Sequence, residues 1–208
     1  MKGRNIVVTG GRGGLGGAVV AALSTRGAIV HVPAREVRFD DEAAVTAYYA
    51  AIPSLWGSVH VVGGFAMGSI TSTTLEQFEQ QWRTNMVTCF LSCREAVRAM
   101  QKLGVGRIVN VAARAALTTP PGMSAYVAAK GGIAAFTQAL AAEVVGDGIL
   151  VNAVLPGIID TAGNRAAMPE ADFARWATPA AIAETIAFLC SAENTATSGG
   201  LVPVYGRS

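Results

Sequence analysis

The sequence predicts an α/β fold, a three-layer Rossmann-type doubly wound parallel sheet, and three observations predict it. Short apolar runs alternate with helical patterns along the chain, as in a parallel sheet that helices cover on both faces. The first apolar run leads into a glycine-rich turn and then a helix, the order of a dinucleotide-binding unit. The 208 residues, 51% of them hydrophobic, suffice for one core, so residues 1–208 are expected to form a single dinucleotide-binding domain.

The elements follow from the local patterns. Strands are expected at the apolar runs 5–9, 28–33, 59–63, 107–111, 150–155 and 201–204. Helices are expected at 18–26, 41–51, 75–100, 124–145 and 179–191, the last with Thr178 as N-cap and Pro179 in the first turn. The run Val37-Arg38-Phe39 follows Ala34-Arg35-Glu36 almost at once. No room is left for a helix between the second and third strands, so this helix is predicted to be deleted.

Charge and composition exclude several classes of function. A net charge of +2, spread along the chain, is too small for a nucleic-acid surface or an anionic-membrane surface. No apolar run approaches the roughly 18–20 residues of a membrane span, and the polar start leads directly into a strand rather than a signal peptide, so a cytoplasmic protein is expected. Cys89, Cys93 and Cys190 show no metal-binding spacing and are expected to be buried thiols. His31 and His60 have no partner spacing either, so no metal site is expected.

The glycine-rich segment from Gly10 to Gly17 lies between the first strand and the first helix. Glycines let the backbone turn tightly and approach a pyrophosphate closely. The free N–H groups and the positive dipole end of the helix then meet the phosphate charge. This segment therefore predicts a dinucleotide-binding turn.

A second motif is the helical segment Tyr126-Val127-Ala128-Ala129-Lys130. Positions i and i+4 share a helix face, so Lys130 can lie beneath Tyr126 and favour the ionised phenol through its positive charge. A phenol tuned in this way can exchange a proton near neutral pH. Ala112 and Ala113 stand where a hydroxyl partner is expected, and this combination predicts reductive chemistry on an unusual substrate.

Taken together, these motifs resemble the short-chain dehydrogenase/reductase family over essentially the whole chain. The resemblance rests on Thr9-Gly10-x-x-x-Gly14-x-Gly16, then Asn85, then Tyr126-x-x-x-Lys130, then Pro156-Gly157-x-Ile159-x-Thr161. Within the family, residues 113–123, 160–165 and 168–173, the deleted helix and Gly63-Gly64-Phe65 are similar to the quinoid dihydropteridine reductase branch. That branch also has alanine in place of the family serine, at the position of Ala113.

The resemblance implies a role for each matching residue. Tyr126 is the expected proton donor, Lys130 the residue that binds the nicotinamide ribose and lowers the phenol's pKa, and Asn85 the residue that holds a water in a proton relay. The residues expected to bind the cofactor are Gly10, Arg12, Gly14, Leu15, Gly16, Arg35, Phe39, Gly63, Gly64, Tyr126, Lys130, Pro156, Gly157, Ile159 and Thr161. The expected substrate pocket consists of Phe65, Met67, Ala113, Met123, Met168 and Trp176.

Two departures from the family pattern affect the details. The family's Asn-Asn-Ala-Gly element reads His60-Val61-Val62-Gly63, so two structural amides are replaced. The acidic residue that selects NAD after the second strand is absent, and Pro33-Ala34-Arg35 stands in its place. Arg35, with Arg12 and Arg38, can meet a 2′-phosphate through charge-assisted bonds. NADPH is therefore the expected cofactor, with NADH as the alternative.

The missing hydroxyl leaves three hypotheses about function, because a donor to an oxyanion is typically worth about 10²–10³ in rate. In the first, the substrate is a C=N or quinonoid system that needs only Tyr126. In the second, Thr118, Thr119 or Ser124 replaces the hydroxyl and the substrate is an ordinary ketone. In the third, the chain is a cofactor-binding sensor without turnover.

Two further expectations concern larger segments. Residues 157–178 mix Gly, Pro, charges and bulky apolar groups without a steady period, which is typical of a mobile lid over a small-molecule substrate. The long helices that contain Asn85 and Tyr126 have alanine-rich faces and resemble those through which relatives associate. A homodimer or homotetramer is therefore expected.

Overall fold

The computed structural model describes residues 1–207 and contains one parallel sheet. Its six strands are β1 (Asn5–Thr9), β2 (Ile29–His31), β3 (Leu55–His60), β4 (Gly106–Val111), β5 (Ile149–Pro156) and β6 (Leu201–Val204). They lie in the order β2-β1-β3-β4-β5-β6, and every pair is parallel. The chain leaves β1 toward one edge and returns to the other side of β1 for β3. In an open α/β sheet this switch of direction creates a crevice at the carboxyl ends of the strands.

Helices cover both faces of the sheet. They are α1 (Gly14–Thr25), α2 (Glu42–Ala50), α3 (Leu75–Trp82), α4 (Thr88–Gln101), α5 (Ala115–Thr118), α6 (Ser124–Val144), α7 (Ala162–Ala167) and α8 (Pro179–Leu189). One buried cluster joins α1 and α8 to one sheet face, and a second joins α2, α4 and α6 to the other. The predicted three-layer α/β class is confirmed.

The connection from β2 to β3 differs from the prediction. Residues 32–41 form neither helix nor strand, but the predicted deletion of the helix between the second and third strands is wrong. Phe39 instead lies buried against Tyr48 of α2, with the ring centroids 5.8 Å apart. In the observed sheet, therefore, a helix does lie between the second and third strands: α2, over residues 42–50. Because Phe39 is buried by its contact with α2, the segment 37–39 does not have to pair as a strand.

The predicted helix over 75–100 is one helical run with an irregular middle. It consists of α3, a π-helical turn at Arg83–Val87, and α4. Thr74 and Gln77 form a capping box at its start. π-turns are rare and frequently occur at functional sites, and this one contains Asn85.

Candidate active site

The glycine turn after β1 requires a residue without a side chain at two positions, Gly10 and Gly16. Gly10 has φ +68°, and a Cβ there would lie 2.9 Å from the backbone nitrogen of Val62. A Cβ on Gly16 would lie 2.0 Å from the carbonyl oxygen of Gly10. The turn therefore packs directly against the first residues of α1 and against the chain that follows β3. Leu15, between these glycines, is buried in the core.

The N-terminus of α1 points into this turn without a side-chain cap. Gly13 is the N-cap residue, and because it is glycine it has no side chain to cap the helix. The first N–H groups of a helix have no partners within the helix. A phosphate group can accept hydrogen bonds from them and is also stabilised by the helix dipole.

The segment after β5 lies against the glycine turn. A Cβ on Gly14 would lie 3.2 Å from Cγ2 of Thr161. Thr161 caps α7 by accepting a hydrogen bond from the Asn164 N–H, and the Ile159 carbonyl accepts one from the Asn164 side chain at 2.8 Å. The structure thus brings the Pro156-Gly157-x-Ile159-x-Thr161 segment against the glycine turn, at the carboxyl ends of the strands.

Asn85 links the π-turn to the chain after β3. Its Nδ2 donates to the carbonyls of Gly64 at 3.0 Å and Gln81 at 2.9 Å, and its Oδ1 accepts from the Gly64 N–H at 3.2 Å. A Cβ on Gly63 would lie 2.7 Å from Asn85 Oδ1 and 3.2 Å from Lys130 Nζ. Gly63 therefore has to be small for Asn85 and Lys130 to approach each other.

Lys130 is buried on the inner face of α6, below Tyr126. Its Nζ donates to the carbonyl of Val111 at 2.9 Å and lies 6.0 Å from the centroid of the Tyr126 ring. Burial lowers the pKa of Lys130 to about 8. The predicted shared face is therefore present, and the ammonium is partly desolvated.

Tyr126 departs from the sequence-based expectation in one respect. Burial raises the pKa of its phenol to about 12, whereas the motif had predicted a lowered value. The expectation was wrong because it considered the charge of Lys130 and not the desolvation of the phenol, which favours the neutral form. Tyr126 is consequently a protonated acid at neutral pH in this structure.

Ala113 stands at the position where the resemblance places the family serine. Ala113 follows β4 and is 7% exposed. Its neighbour Arg114 donates its backbone N–H to the Pro156 carbonyl at 2.8 Å, which fixes this segment to the end of β5. Thr118 is exposed and lies 3.4 Å from the carbonyl of Arg114, to which its hydroxyl donates. The Thr118 hydroxyl is therefore already engaged, and Thr119 and Ser124, the other predicted substitutes, are exposed.

The three arginines expected to meet a 2′-phosphate differ in their hydrogen-bond partners. Arg38 pairs with Asp40 through two hydrogen bonds, at 3.2 and 2.9 Å, which engage one side of its guanidinium. Arg12 donates through Nε to the Pro33 carbonyl at 3.4 Å. Arg35 is exposed and makes no hydrogen bond or ion pair with any of residues 1–207. The side chain of Phe39, also expected to bind the cofactor, is buried in the core, so only its backbone is available to a ligand.

The residues of the expected substrate pocket fall into two groups. Phe65 is 57% exposed and packs edge-on against Tyr126 with centroids 5.0 Å apart, and Met67 and Met123 line a cavity next to it. Trp176 is only 7% exposed and packs against Phe173 with centroids 4.9 Å apart. Met168 and Trp176 belong to residues 157–178, which contain α7 and a short 3-10 turn. Trp176 thus stabilises that segment rather than presenting a free apolar face.

A buried polar network replaces the family's missing amides. His60 Nδ1 lies 2.8 Å from Asn110 Oδ1, and His60 Nε2 lies 2.8 Å from Ser58 Oγ. Asn110 in turn donates to Thr137 of α6 at 2.9 Å. The network connects β3, β4 and α6 directly under the site, and the departure from the family motif was its one signal in the sequence.

The same network brings together residues that the sequence left separate. Cys93 Sγ lies 3.3 Å from His60 Nδ1, and ligand atoms of His60, Cys89 and Cys93 all lie within 4.8 Å of one another. All three cysteines are buried. Both nitrogens of His60 already have hydrogen-bond partners, which accounts for the position of its ring.

The crevice, the glycine turn and the Tyr126-Lys130 pair define the class of protein, an NAD(P)-dependent oxidoreductase of Rossmann type. A family model described as enoyl-(acyl carrier protein) reductase matches residues 2–206. The chain belongs to the short-chain dehydrogenase/reductase family. No helix among residues 1–207 combines the length and apolar character that a membrane crossing requires.

Three similar proteins show the range within this family. The inactive 2-(S)-hydroxypropyl-CoM dehydrogenase 2 of Xanthobacter autotrophicus is 32% identical over 91% of this chain and 94% of its own length. The 3-oxoacyl-(acyl-carrier-protein) reductase FabG of Vibrio cholerae is 28% identical over 99% of this chain and 97% of its own. The structure of ElxO with NADP bound has a TM-score of 0.90 and 23% identity, covering 99% of this chain and 98% of its own.

Proposed function

We propose that this protein is an NADPH-dependent reductase that delivers hydride to a C=N or quinonoid, dihydropteridine-like substrate, with Tyr126 as the proton donor. The observation that carries the proposal is the arrangement at the crevice. A neutral, partly buried phenol lies above a buried ammonium, and Ala113 stands at the position of the family serine. This is an active site with one proton donor.

The proposed cofactor follows from two features, the crevice and the guanidinium of Arg35. The glycine turn, the uncapped N-terminus of α1 and the segment after β5 fit a dinucleotide, and NADPH when bound there supplies the hydride. Arg35 has no partner among residues 1–207, and its guanidinium suits a 2′-phosphate, as does that of Arg12, which bonds the Pro33 carbonyl two residues before Arg35 in the chain. The bound NADP in ElxO supports the same choice. Calorimetry of NADPH against NADH tests it, and equal affinities would refute it.

The chain's own residues handle the proton. As hydride reaches the carbon of the substrate's C=N bond, the phenol O–H of Tyr126 breaks and its proton passes to the nitrogen. The phenolate that remains is stabilised by the Lys130 ammonium, and the proton is replaced from solvent. Asn85 fixes Gly64 and the π-turn, which keeps this side of the pocket in place. Imine nitrogen is more basic than ketone oxygen, so one donor suffices.

Two alternatives have observations in their favour. The likeness to a 3-oxoacyl reductase favours reduction of an ordinary ketone. The likeness to a dehydrogenase described as inactive favours a cofactor-binding protein without turnover. Retention of both Tyr126 and Lys130 argues for catalysis over the second alternative.

A single assay separates the three functions. The protein is mixed with NADPH and a quinonoid dihydropterin, and separately with a panel of small ketones, and loss of NADPH absorbance is followed. Turnover of the dihydropterin above the ketones supports the proposal, and the reverse ranking supports ketone reduction. Cofactor binding without oxidation in either panel supports the sensor.

The proposal also covers the domain organisation, the location, the substrate class and the oligomeric state. We propose a single domain over residues 1–208, a cytoplasmic location and a small-molecule substrate. We also propose association into a homodimer or homotetramer through α3, α4 and α6. Phe78, Trp82 and Phe90, each 40–41% exposed, lie on this side of the molecule and support the last point.

A further inference from the structure

A small cavity lies beside the proposed catalytic residues, where two loops cross. The Gly68 N–H donates to the Gly122 carbonyl at 2.9 Å, and this bond joins the loop after β3 to the loop before α6. The cavity beneath has a volume of about 60 Å³. Its lining consists of Ala66, Met67, Gly68, Thr73, Gln77, Gln81, Gly122, Met123, Ser124 and Ala125. By the usual measure of about 10–15 Å³ per water, it has room for a small polar group.

Gln81 is the unusual residue of this lining. It is 8% exposed, and its Oε1 is buried without a hydrogen-bond partner among residues 1–207. A buried acceptor left unsatisfied typically costs about 1–3 kcal/mol. Gln81 is also the only residue of α3 that is buried. A glutamine is costly in this position unless a ligand or a water molecule donates to it.

Residues that line the cavity are adjacent in sequence to residues of the proposed reaction site. Phe65, which packs against Tyr126, precedes Ala66, and Ala125 precedes Tyr126. Gln81 lies one helical turn before Asn85, and its carbonyl accepts a hydrogen bond from the Asn85 side chain at 2.9 Å. A substrate whose reacting atom lies at Tyr126 can therefore extend a neighbouring group toward Gln81.

The chemistry of the lining limits what this group can be. All of the lining residues are uncharged, so a carboxylate, phosphate or ammonium would be buried without a counter-charge, which is strongly unfavourable. Met67 and Met123 supply flexible apolar contacts. A neutral group with an N–H donor satisfies the Gln81 oxygen without adding charge.

We propose that Gln81 is a specificity-determining residue whose Oε1 accepts a hydrogen bond from a neutral amide-like N–H of the substrate. This inference rests on the proposed function only in placing the substrate beside Tyr126. The site is expected to prefer lactam or cyclic amide substrates over their N-methyl analogues, because the methyl group leaves the acceptor unpaired.

Binding of two small probes tests this directly and needs no turnover. 2-Pyrrolidinone carries the N–H, and N-methyl-2-pyrrolidinone lacks it. In ¹⁵N-labelled protein, we expect 2-pyrrolidinone to shift the Gln81 side-chain amide signals and to bind about 3–10-fold more tightly than its N-methyl analogue. Gln81→Leu should abolish that preference. The matched control is Gln80→Leu, since Gln80 is exposed on the same helix and bonds to Thr84, and it should retain the preference.

Thermal unfolding separates a binding role from a structural one. If Oε1 binds a ligand and has no donor in the unliganded protein, Gln81→Leu removes an unsatisfied acceptor. This substitution should then raise the Tm of the unliganded protein by about 2–4 °C. A fall in Tm, or equal binding of the two probes to the wild type, would overturn the inference. Failure of the proposed function has a different signature, namely the absence of NADPH oxidation while the Gln81-dependent preference persists.

Discussion

Burial shifts the pKa values of Tyr126 and Lys130 in opposite directions, and both shifts favour the neutral forms. A phenol with a pKa of about 12 keeps its proton until the substrate accepts it. An ammonium with a pKa of about 8 is still largely charged at neutral pH and loses its charge in mildly alkaline solution. The pair is therefore suited to a reduction near neutral pH, in which the phenol donates and the ammonium stabilises the product phenolate.

Replacing Tyr126 by Phe tests the proton donor. The ring and its contact with Phe65 remain, so we expect kcat to fall by about 10²–10⁴-fold, while NADPH affinity measured by calorimetry stays the same. The control is Tyr48→Phe, because Tyr48 belongs to the core beside Phe39, and its turnover should be normal. An active Tyr126→Phe enzyme would exclude Tyr126 as the donor.

Lys130 also predicts a pH dependence of stability. Its pKa is lowered in the folded state, so the unfolded chain binds more protons between about pH 8 and the ordinary value of 10.5, and stability rises with pH across that interval. From pH 7 to pH 9 this one group contributes an increase of about 1 kcal/mol in the free energy of unfolding. Urea unfolding of the wild type and of Lys130→Met measures it. The variant should lack this part of the increase, and identical slopes would contradict the assignment.

Ala113 predicts a gain of function toward ketones. A serine hydroxyl at this position would add a second donor to a developing oxyanion, and such donors are worth about 10²–10³ in rate. We expect Ala113→Ser to raise kcat/KM for the ketone panel more than for C=N substrates. The comparison needs both panels in the same assay. An equal effect on the two substrate classes would show that the alanine is unrelated to substrate chemistry.

At the level of elements, the contact between the glycine turn and α1 determines whether the crevice forms. A Cβ at position 16 would meet the Gly10 carbonyl oxygen at 2.0 Å, whereas a Cβ at position 17 would lie 4.0 Å from the Gly11 carbonyl oxygen. Backbone has to move in the first case and not in the second. The geometry of the glycine turn therefore depends more on Gly16 than on Gly17.

Two alanine substitutions on the same helix test this. Gly16→Ala should lower the free energy of unfolding by about 1–3 kcal/mol or more and weaken NADPH binding. Gly17→Ala should be neutral or stabilising by up to about 1 kcal/mol, because alanine restricts the unfolded chain. Denaturant unfolding and calorimetry provide both numbers. Equal behaviour of the two variants would refute the close packing at Gly16.

The π-turn in the long helix is the other element-level feature. A regular helix over 75–100 was predicted from the spacing of apolar residues. That spacing does not indicate where one turn contains an extra residue. In the structure, the turn at Arg83–Val87 contains Asn85, whose side chain bonds the Gly64 backbone. An irregular helix is maintained here by hydrogen bonds to another segment of the chain.

At the level of the whole molecule, the apolar surface on α3 and α4 predicts self-association. Phe78 is 40% exposed beside Trp82 and Val87, and burying such rings against a second copy removes apolar area from water. We expect light scattering to show a mass of two or four chains, and Phe78→Glu to shift it toward one. Phe188, 50% exposed on α8, provides the control, since Phe188→Glu should leave the assembly intact. A monomeric wild type would contradict the prediction.

The sequence by itself determined the features that depend on neighbouring residues. Alternating apolar runs predicted the parallel sheet, the Gly10–Gly17 segment predicted the turn between β1 and α1, and four-residue spacing placed Tyr126 and Lys130 on one helix face. These predictions succeeded because backbone periodicity and glycine geometry are local properties. The boundaries were less accurate, as with β3, which begins at Leu55 rather than at residue 59.

Only the tertiary structure decided the features that depend on distant residues and on desolvation. It packed Phe39 against α2, joined His60 to Asn110, and buried Gln81 Oε1 without a partner among residues 1–207. It also reversed the predicted shift of the Tyr126 pKa. The physical reason is common to all of these: burial and long-range hydrogen bonds depend on which segments meet in the folded chain, and the spacing of residues along the sequence does not specify that.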